Sequence, residues 1–495
     1  MRYLNTLFLV GLILISACQN SSEQDEWVVL FDGSSLDNWQ ASEHKDAFII
    51  EDGALVTNGE RSHLYYSGPV EEADFKNFEL KAEVKTTPGA NSGIYFHTQY
   101  QEEGWPSSGY EVQVNNTHKE TGHRELKKTG SLYAVRNLYM PLVPDHEWFE
   151  MYIKVIGNRV MIKVNDKLVV DYFEPENPFR NPDQAQRLIN SGTFAIQCHD
   201  PESKVYYKNI MVKPLPDDAM PEEQAPDIDP EYEEYITRLH AQGFPLVDFH
   251  VHLKGDLTLE EAMDHSRETG INYGIAVNSG QDFPINNNDT LKSYIASLRD
   301  HAIFHGMQAE GREWVDLFST DAIATFDYVF TDAMTYTEAD GNRVHLWKPE
   351  EVNIPDKQAF MDMLVNQITT IMNNEPIDIY VNSTFLPEVI AEEYDQLWTE
   401  ERMEKVIQAS IDNKIAIEIN SRYKIPSENF LRLAKEMGAT FAIGTNNVDE
   451  NIGMQEYSLE MIKKLDLKTG DMFMPRDEGQ KPVQTKGVIT AMNKN

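Results

Sequence analysis

Residues 217–252 read DDAMPEEQAPDIDPEYEEYITRLHAQGFPLVDFHVH, and the chain obeys a different period on either side of them. Between Asp217 and Glu234 lie nine acidic residues, three prolines and no Lys or Arg. Proline and self-repulsion keep such a segment extended, so an acidic linker is expected over residues 217–242. Upstream, Trp27 to Pro216 reads as strands and turns. Phe78 to Lys85 alternates apolar and polar residues, as a half-buried strand does. From Met151 to Tyr172, alternating runs are broken by Gly157-Asn158 and Asn165-Asp166, both hairpin chemistries. Helical periodicity is scarce there, so residues 27–216 are expected to form an all-β, two-sheet sandwich.

Downstream of about Gly243, short apolar strands alternate with helical stretches. Strands are expected at Pro245–His252, Tyr273–Asn278, Phe304–Ala309, Tyr328–Thr331, Ile377–Val381, Ile415–Ile419 and Phe441–Gly444. These strand–helix units, with no Gly-rich phosphate loop after the first strand, argue an α/β barrel over residues 243–470 rather than an open sheet. Residues 471–495 read as a C-terminal tail. Barrel chemistry sits at the strands' C-terminal ends. The first strand closes on Asp248-Phe249-His250-Val251-His252. Residues two apart share a strand face, so Asp248, His250 and His252 can converge in the mouth, in a metal-type pattern or with the two histidines as a hydrogen-bonded structural pair. Glu310 and Glu418 end later strands, each fit to be an oxygen ligand, a base or half of an ion pair. Arg312, Asp332, Asn382, Asn420, Asn446 and Asn447 also fall at strand ends. They suit a hydroxyl-rich ligand, or simple loop capping.

The 495 residues allow two to three domains, and 41% hydrophobic content is that of a folded chain. The 81 Asp+Glu against 43 Lys+Arg give a formal charge of −38. That excess argues against nucleic acid, heparin-like polymers or an anionic membrane surface as the main partner, and favours uncharged substrates. Two cysteines, Cys18 and Cys198, make no disulfide framework. Arg2, the apolar run Leu7–Ile15 and the ending Ser16-Ala17-Cys18 read as an export leader, residues 1–17. Residues 18–26 read as a polar tether, and Cys198 as a buried small hydrophobe.

Leu14-Ile15-Ser16-Ala17-Cys18 resembles the lipobox of bacterial lipoproteins. That implies lipidation of Cys18 and anchoring in the cell envelope, periplasmic or at the cell surface. Five ordered motifs in the sandwich resemble the 3-keto-disaccharide hydrolase domain, a concanavalin-like jelly roll. They are Leu30 to Trp39, Asn91 to Phe96, Gly109 to Val114, Thr129 to Tyr133, and Gly192 to Pro214. One departure is His97, where many members carry Arg. The resemblance implies a hydrolase that removes the acidified C2 proton of a 3-keto-glycoside, expels the C1 oxygen and adds water to the enone. Glu111 or His199 is then the expected proton-transfer group. Asn91, His97, Gln113, Tyr133 and Gln197 are the expected sugar contacts.

The barrel, from Phe244 to Leu467, resembles the polymerase-and-histidinol-phosphatase (PHP) superfamily of distorted seven-stranded (β/α) barrels. His250, His252 and Glu310 match its metal ligands. Ser279-Gly280, Met334, Asn382 and Asn446-Asn447-Val448 stand where that family carries further ligands. Methionine and asparagine are poor substitutes, so at most one divalent metal ion is expected, on His250, His252 and Glu310 with Asp248 or Glu418. The rival expectation is a carbohydrate-binding sandwich that delivers substrate to a single-metal barrel hydrolase. A pair of binding modules is the third.

Overall fold

A computed structural model describes residues 27–118, 124–298, 301–337 and 342–487. The leader, Cys18 and the tether lie outside these residues. Two antiparallel sheets form the first part. The larger runs Lys167–Phe173, Arg159–Val164, Phe149–Ile156, Asn77–Thr86, Val205–Leu215, Ala54–Thr57 and Phe48–Glu51, with Val28–Phe31 added along Val205–Leu215. The smaller runs Trp39–Ala41, Ser62–Tyr66, Thr193–Cys198, Ser92–Thr98 and Tyr110–Val114. Asn77–Thr86 and Phe149–Ile156 alternate buried and half-exposed residues, as expected of strands with one face on the core. Between the sheets, Phe78, Leu80 and Val84 share one hydrophobic cluster with Ile94, Phe96, Val112 and Ile196. Ser92–Thr98 and Tyr110–Val114 are buried on both faces. Their outer face is roofed by loops, and that roofed face is where the cleft described below lies.

The second part is a closed barrel of seven parallel strands: Val247–Val251, Asn272–Ser279, Phe304–Ala309, Tyr328–Thr331, Ile379–Tyr380, Ala416–Asn420 and Phe441–Gly444. Asp248 pairs with Ile443 to close it.

Two boundaries differ from the sequence reading. The acidic segment is irregular only as far as Asp229, and Pro230–Ala241 form a helix. The Asp229 carboxylate accepts from the amides of Glu231 and Tyr232, and Pro230 starts the helix. Two of the acids that read as linker, Glu231 and Glu233, lie in this helix's first turn, where the positive end of the helix dipole favours them. Ile236 and Leu239 are buried. The helix joins the two parts: Arg136 pairs with Glu233 at 2.6 Å, and Asn137 Nδ2 donates to the His240 carbonyl at 2.8 Å. Tyr139 Oη donates to the Phe244 carbonyl at 2.5 Å. The expected tail also packs as far as it is described. Phe473 N donates to the Phe441 carbonyl at 2.7 Å, its ring lies 5.1 Å from that of Phe249, and Val483 is buried.

Candidate functional site

The outer face of the smaller sheet floors a cavity of about 350 Å³, walled by Trp105, Tyr133, Arg187 and neighbouring loop residues. Strand alternation puts Glu111 and Gln113 on this face, and likewise Gln197 and His199. All four line the cavity, as do Asn91 and Tyr133. Glu111 is buried and held by three donors. Tyr95 Oη reaches its Oε2 at 2.8 Å, Gln197 Nε2 its Oε1 at 3.1 Å, and Arg187 Nη2 its Oε2 at 3.5 Å. Gly93 lies beneath this carboxylate on the neighbouring strand. A Cβ there would come within 2.8 Å of Glu111 Oε1.

Charge in this cleft is buried and compensated. Burial, then the charge of Glu111, push the Tyr95 phenol well above its usual range. Burial alone would weaken the Arg187 cation, but Tyr95, Glu111 and Tyr133 outweigh it and raise its pKa. Gln113 Nε2 donates to Asn91 Oδ1 at 2.7 Å. Three polar atoms of the cleft, Gln113 Oε1, Gln197 Oε1 and Arg187 Nη1, are buried without a partner among the described residues. His199 Nδ1 lies 2.7 Å from Asp200 Oδ2, which leaves Nε2 as the ring atom available to a ligand. Beside it, 5.3 Å between ring centroids, stands Trp105, 44% exposed.

The seventh expected cleft residue, His97, is elsewhere. The family resemblance placed it among the sugar contacts, but the pairing with Thr193–Cys198 shifts register between Thr193 and Ala195, and His97 takes a positive φ of 54°. A bulge of this kind reverses which face a side chain meets. The imidazole turns inward, with Nε2 at 2.8 Å from the Lys76 carbonyl and Nδ1 accepting from Asn190 N at 3.2 Å. Arg187, Tyr95, Asp200 and Trp105 were not singled out from the sequence. Parity with Gly93 could have found Tyr95, and adjacency to His199 could have found Asp200. Arg187 and Trp105 sit in loops, where no period marks them.

In the barrel mouth, the acids expected as metal ligands are mostly engaged. Asp248 Oδ1 accepts from the amides of His250 and Thr445, and Oδ2 from Thr445 Oγ1 and Gln455 Nε2. Glu418 Oε1 meets His250 Nδ1 at 2.5 Å, while Oε2 accepts from Asn382 N and Asn420 Nδ2. Asn382 links onward to Asp332, Asn420 and Asn446, so amides tie together a place where a metal cluster would need anions. Glu310 accepts from Asn278 Nδ2 at 2.6 Å, and burial, then Asp332, push its carboxyl up to about 7. Arg312 pairs with Glu375 at 2.9 Å and also donates to Thr331 and the Asp332 carbonyl. His252 Nδ1 lies 2.9 Å from the Ala276 carbonyl. The Nε2 atoms of His250 and His252 are buried without a partner among the described residues. Among the described residues no three His, Cys, Asp or Glu side chains are placed to share a metal ion, so the five-residue ligand set does not fit a preformed centre.

Residues 26–213 match the sequence profile of the 3-keto-alpha-glucoside-1,2-lyase-like domain. A 3-keto-disaccharide hydrolase of Bacteroides thetaiotaomicron is 25% identical over 242 residues, 39% of this chain and 80% of that protein. Among solved structures, a Parabacteroides distasonis protein assigned as a glycosyl hydrolase is 24% identical with a TM-score of 0.32, covering 38% of this chain and 94% of that one. Carbohydrate binding module CBM66 from Bacillus subtilis is 11% identical with a TM-score of 0.26, covering 36% and 95% respectively. Across residues 26–213, the part of the chain that builds the cleft, this protein is similar to the 3-keto-disaccharide hydrolases.

Proposed function

We propose that the sandwich cleft cleaves 3-keto-glycosides by elimination and hydration. The observation that carries this reading is the set of buried polar atoms left without partners, Gln113 Oε1, Gln197 Oε1 and Arg187 Nη1, in one cavity with His199. Buried groups of this kind ask for hydrogen bonds, and a sugar ring supplies hydroxyl donors for the two amide oxygens and an acceptor for the guanidinium. The ketone at C3 acidifies the C2 proton. His199 Nε2, its ring oriented by Asp200, takes that proton. The electron pair left on C2 delocalises onto the C3 oxygen, where the Arg187 cation stabilises the enolate. Collapse of the enolate forms the C1–C2 double bond and breaks the C1–O bond, and the leaving oxygen takes a proton to depart as an alcohol. Water then adds at C1, a proton returns to C2, and the net reaction is hydrolysis. Glu111, tied to Tyr95, Gln197 and Arg187, holds those three groups in place.

The test uses the whole chain with methyl 3-keto-glucoside and unoxidised methyl glucoside. Methanol is expected from the keto sugar alone, with a slower rate when C2 carries deuterium. His199→Gln is expected to lower the rate by about 100-fold or more. Equal turnover of the unoxidised glucoside, or an unaffected His199→Gln variant, sinks this chemistry. A second reading, in which the barrel is a single-metal hydrolase fed by a sugar-binding sandwich, is favoured by the two unpartnered histidine Nε2 atoms. It predicts methanol release abolished by chelator and by His250→Ala, with His199→Gln harmless. Export on a lipidated Cys18 belongs to our reading too, supported by the leader and the Ser16-Ala17-Cys18 ending. Incorporation of labelled fatty acid, lost in Cys18→Ser, tests it.

A further inference from the structure

The larger sheet turns its outer face away from the cleft, and that face inverts the charge of the chain. Along its two central strands, Asn77–Thr86 and Val205–Leu215, the charged residues are Lys81, Lys85, Lys208 and Lys213 against Glu79 and Glu83. Lys208 pairs with Glu83 at 2.9 Å. Lys81 and Lys85 have no carboxylate partner among the described residues and lie over aromatic rings instead. Lys81 Nζ is 4.4 Å from the ring centre of Trp27. Lys85 Nζ is 4.9 Å from that of Trp148 and 4.4 Å from that of Tyr206.

Apolar residues share the same rows. Val29 pairs with Met211, and Met211 with Lys81. Ile49 pairs with Val56, Val56 with Tyr206, and Tyr206 with Lys85. Val29 is 51% exposed, Ile49 50% and Trp148 38%. Aromatic rings with apolar bodies and polar edges, aliphatic side chains, and lysines that reach past them are the residue set of a membrane–water interface. The chain enters the described structure on this face, at Trp27, with eight residues between it and Cys18. Fully extended, that length spans about 30 Å.

We infer that this face docks on an anionic lipid surface. The orientation rests on the lipid-anchor reading, whereas the docking does not. The net charge of −38 is no obstacle, because at physiological salt charges act over only about 8 Å. The two packed sheets alone are about 10 Å apart, so acids beyond them are screened and the local lysines decide. Docked this way, the cleft opens to the solvent side.

The test uses the chain from residue 19 onward, free of leader and lipid, with phosphatidylethanolamine–phosphatidylglycerol vesicles and with phosphatidylcholine vesicles. Co-sedimentation is expected with the anionic vesicles alone, weakening as salt rises. The double variant Lys81→Gln/Lys85→Gln is expected to lower partitioning by on the order of thirtyfold with an unchanged melting temperature, and Trp148→Ala to lower it further. No binding to anionic vesicles, equal binding to phosphatidylcholine, or an unaffected double variant overturns the inference. So does capture by a soluble acidic polysaccharide in place of vesicles. None of these results depends on methanol release, so failure of the proposed reaction is seen separately.

Discussion

Glu111 is the best-determined side chain of the cleft, and Gly93 makes its position possible. Adding one carbon at Gly93 places it 2.8 Å from Oε1 and 3.0 Å from Cγ, so the carboxylate must swing away from Tyr95 and Gln197. Small displacements of positioning groups cost rate steeply. Gly93→Ala is therefore expected to lower kcat/KM for a 3-keto-glucoside by about tenfold or more while shifting the melting temperature by only a few degrees. Arg187→Met goes further, because it strands a buried carboxylate. A stability loss of about 3 kcal/mol is expected in urea unfolding, together with loss of activity. At this scale the sequence was legible wherever a strand's alternation ran undisturbed, as at Glu111, Gln113, Gln197 and His199. At His97 the family resemblance misled and alternation could not correct it, because a bulge is a property of the pairing between two strands and leaves no mark on one of them. The sequence was silent on Arg187, which an irregular loop delivers to the cleft.

The helix Pro230–Ala241 shows what composition conceals. Acid-rich and proline-bearing, the segment has every mark of a linker up to Asp229, and the same residue types then serve as cap and first turn. Its apolar spacing is short, and its stability comes from what it touches. The Arg136–Glu233 pair has side-chain exposures of 7% and 14%, whereas the Asp229 cap is solvent-exposed. Arg136→Met is accordingly expected to cost about 3 kcal/mol in urea unfolding, and Asp229→Ala about 1 kcal/mol. The reverse order would mean the helix holds itself rather than being held. The barrel strands were the most legible elements. Phe304–Ala309, Tyr328–Thr331 and Phe441–Gly444 fall where their apolar runs end, since strands buried on both faces read as continuous apolar sequence. The barrel mouth was read only in part: its asparagines do gather, but which of them bond to each other is decided by distances across the barrel.

Across the whole molecule, several histidines are folded in their neutral form. Burial pushes His63 and His240 down to about 3 and His97 to about 4. The unfolded chain binds these protons near pH 6.5, so each contribution is complete above that pH and is lost as pH falls toward the folded value. Glu310 and Asp378, pushed up to about 7 mainly by burial, act in the opposite sense, so one substitution isolates the effect better than the wild-type curve does. Both ring nitrogens of His63 lack partners among the described residues, and His63→Phe forfeits none of the hydrogen bonds seen there. The stability advantage of wild type over His63→Phe is expected to shrink by about 1.4 kcal/mol per pH unit between pH 6.5 and about 3, as read by urea unfolding at several pH values. The contact between the two parts has a practical corollary for anyone dissecting them. Tyr139 and Met140 belong to the sandwich sequence yet are buried in the barrel's hydrophobic cluster, and Asn137 accepts from Asn272 Nδ2 through its carbonyl at 2.9 Å. A polypeptide cut after Pro216 would turn these residues out into water, so the excised sandwich should self-associate, and its loss of activity would report on a torn seam rather than on where catalysis resides.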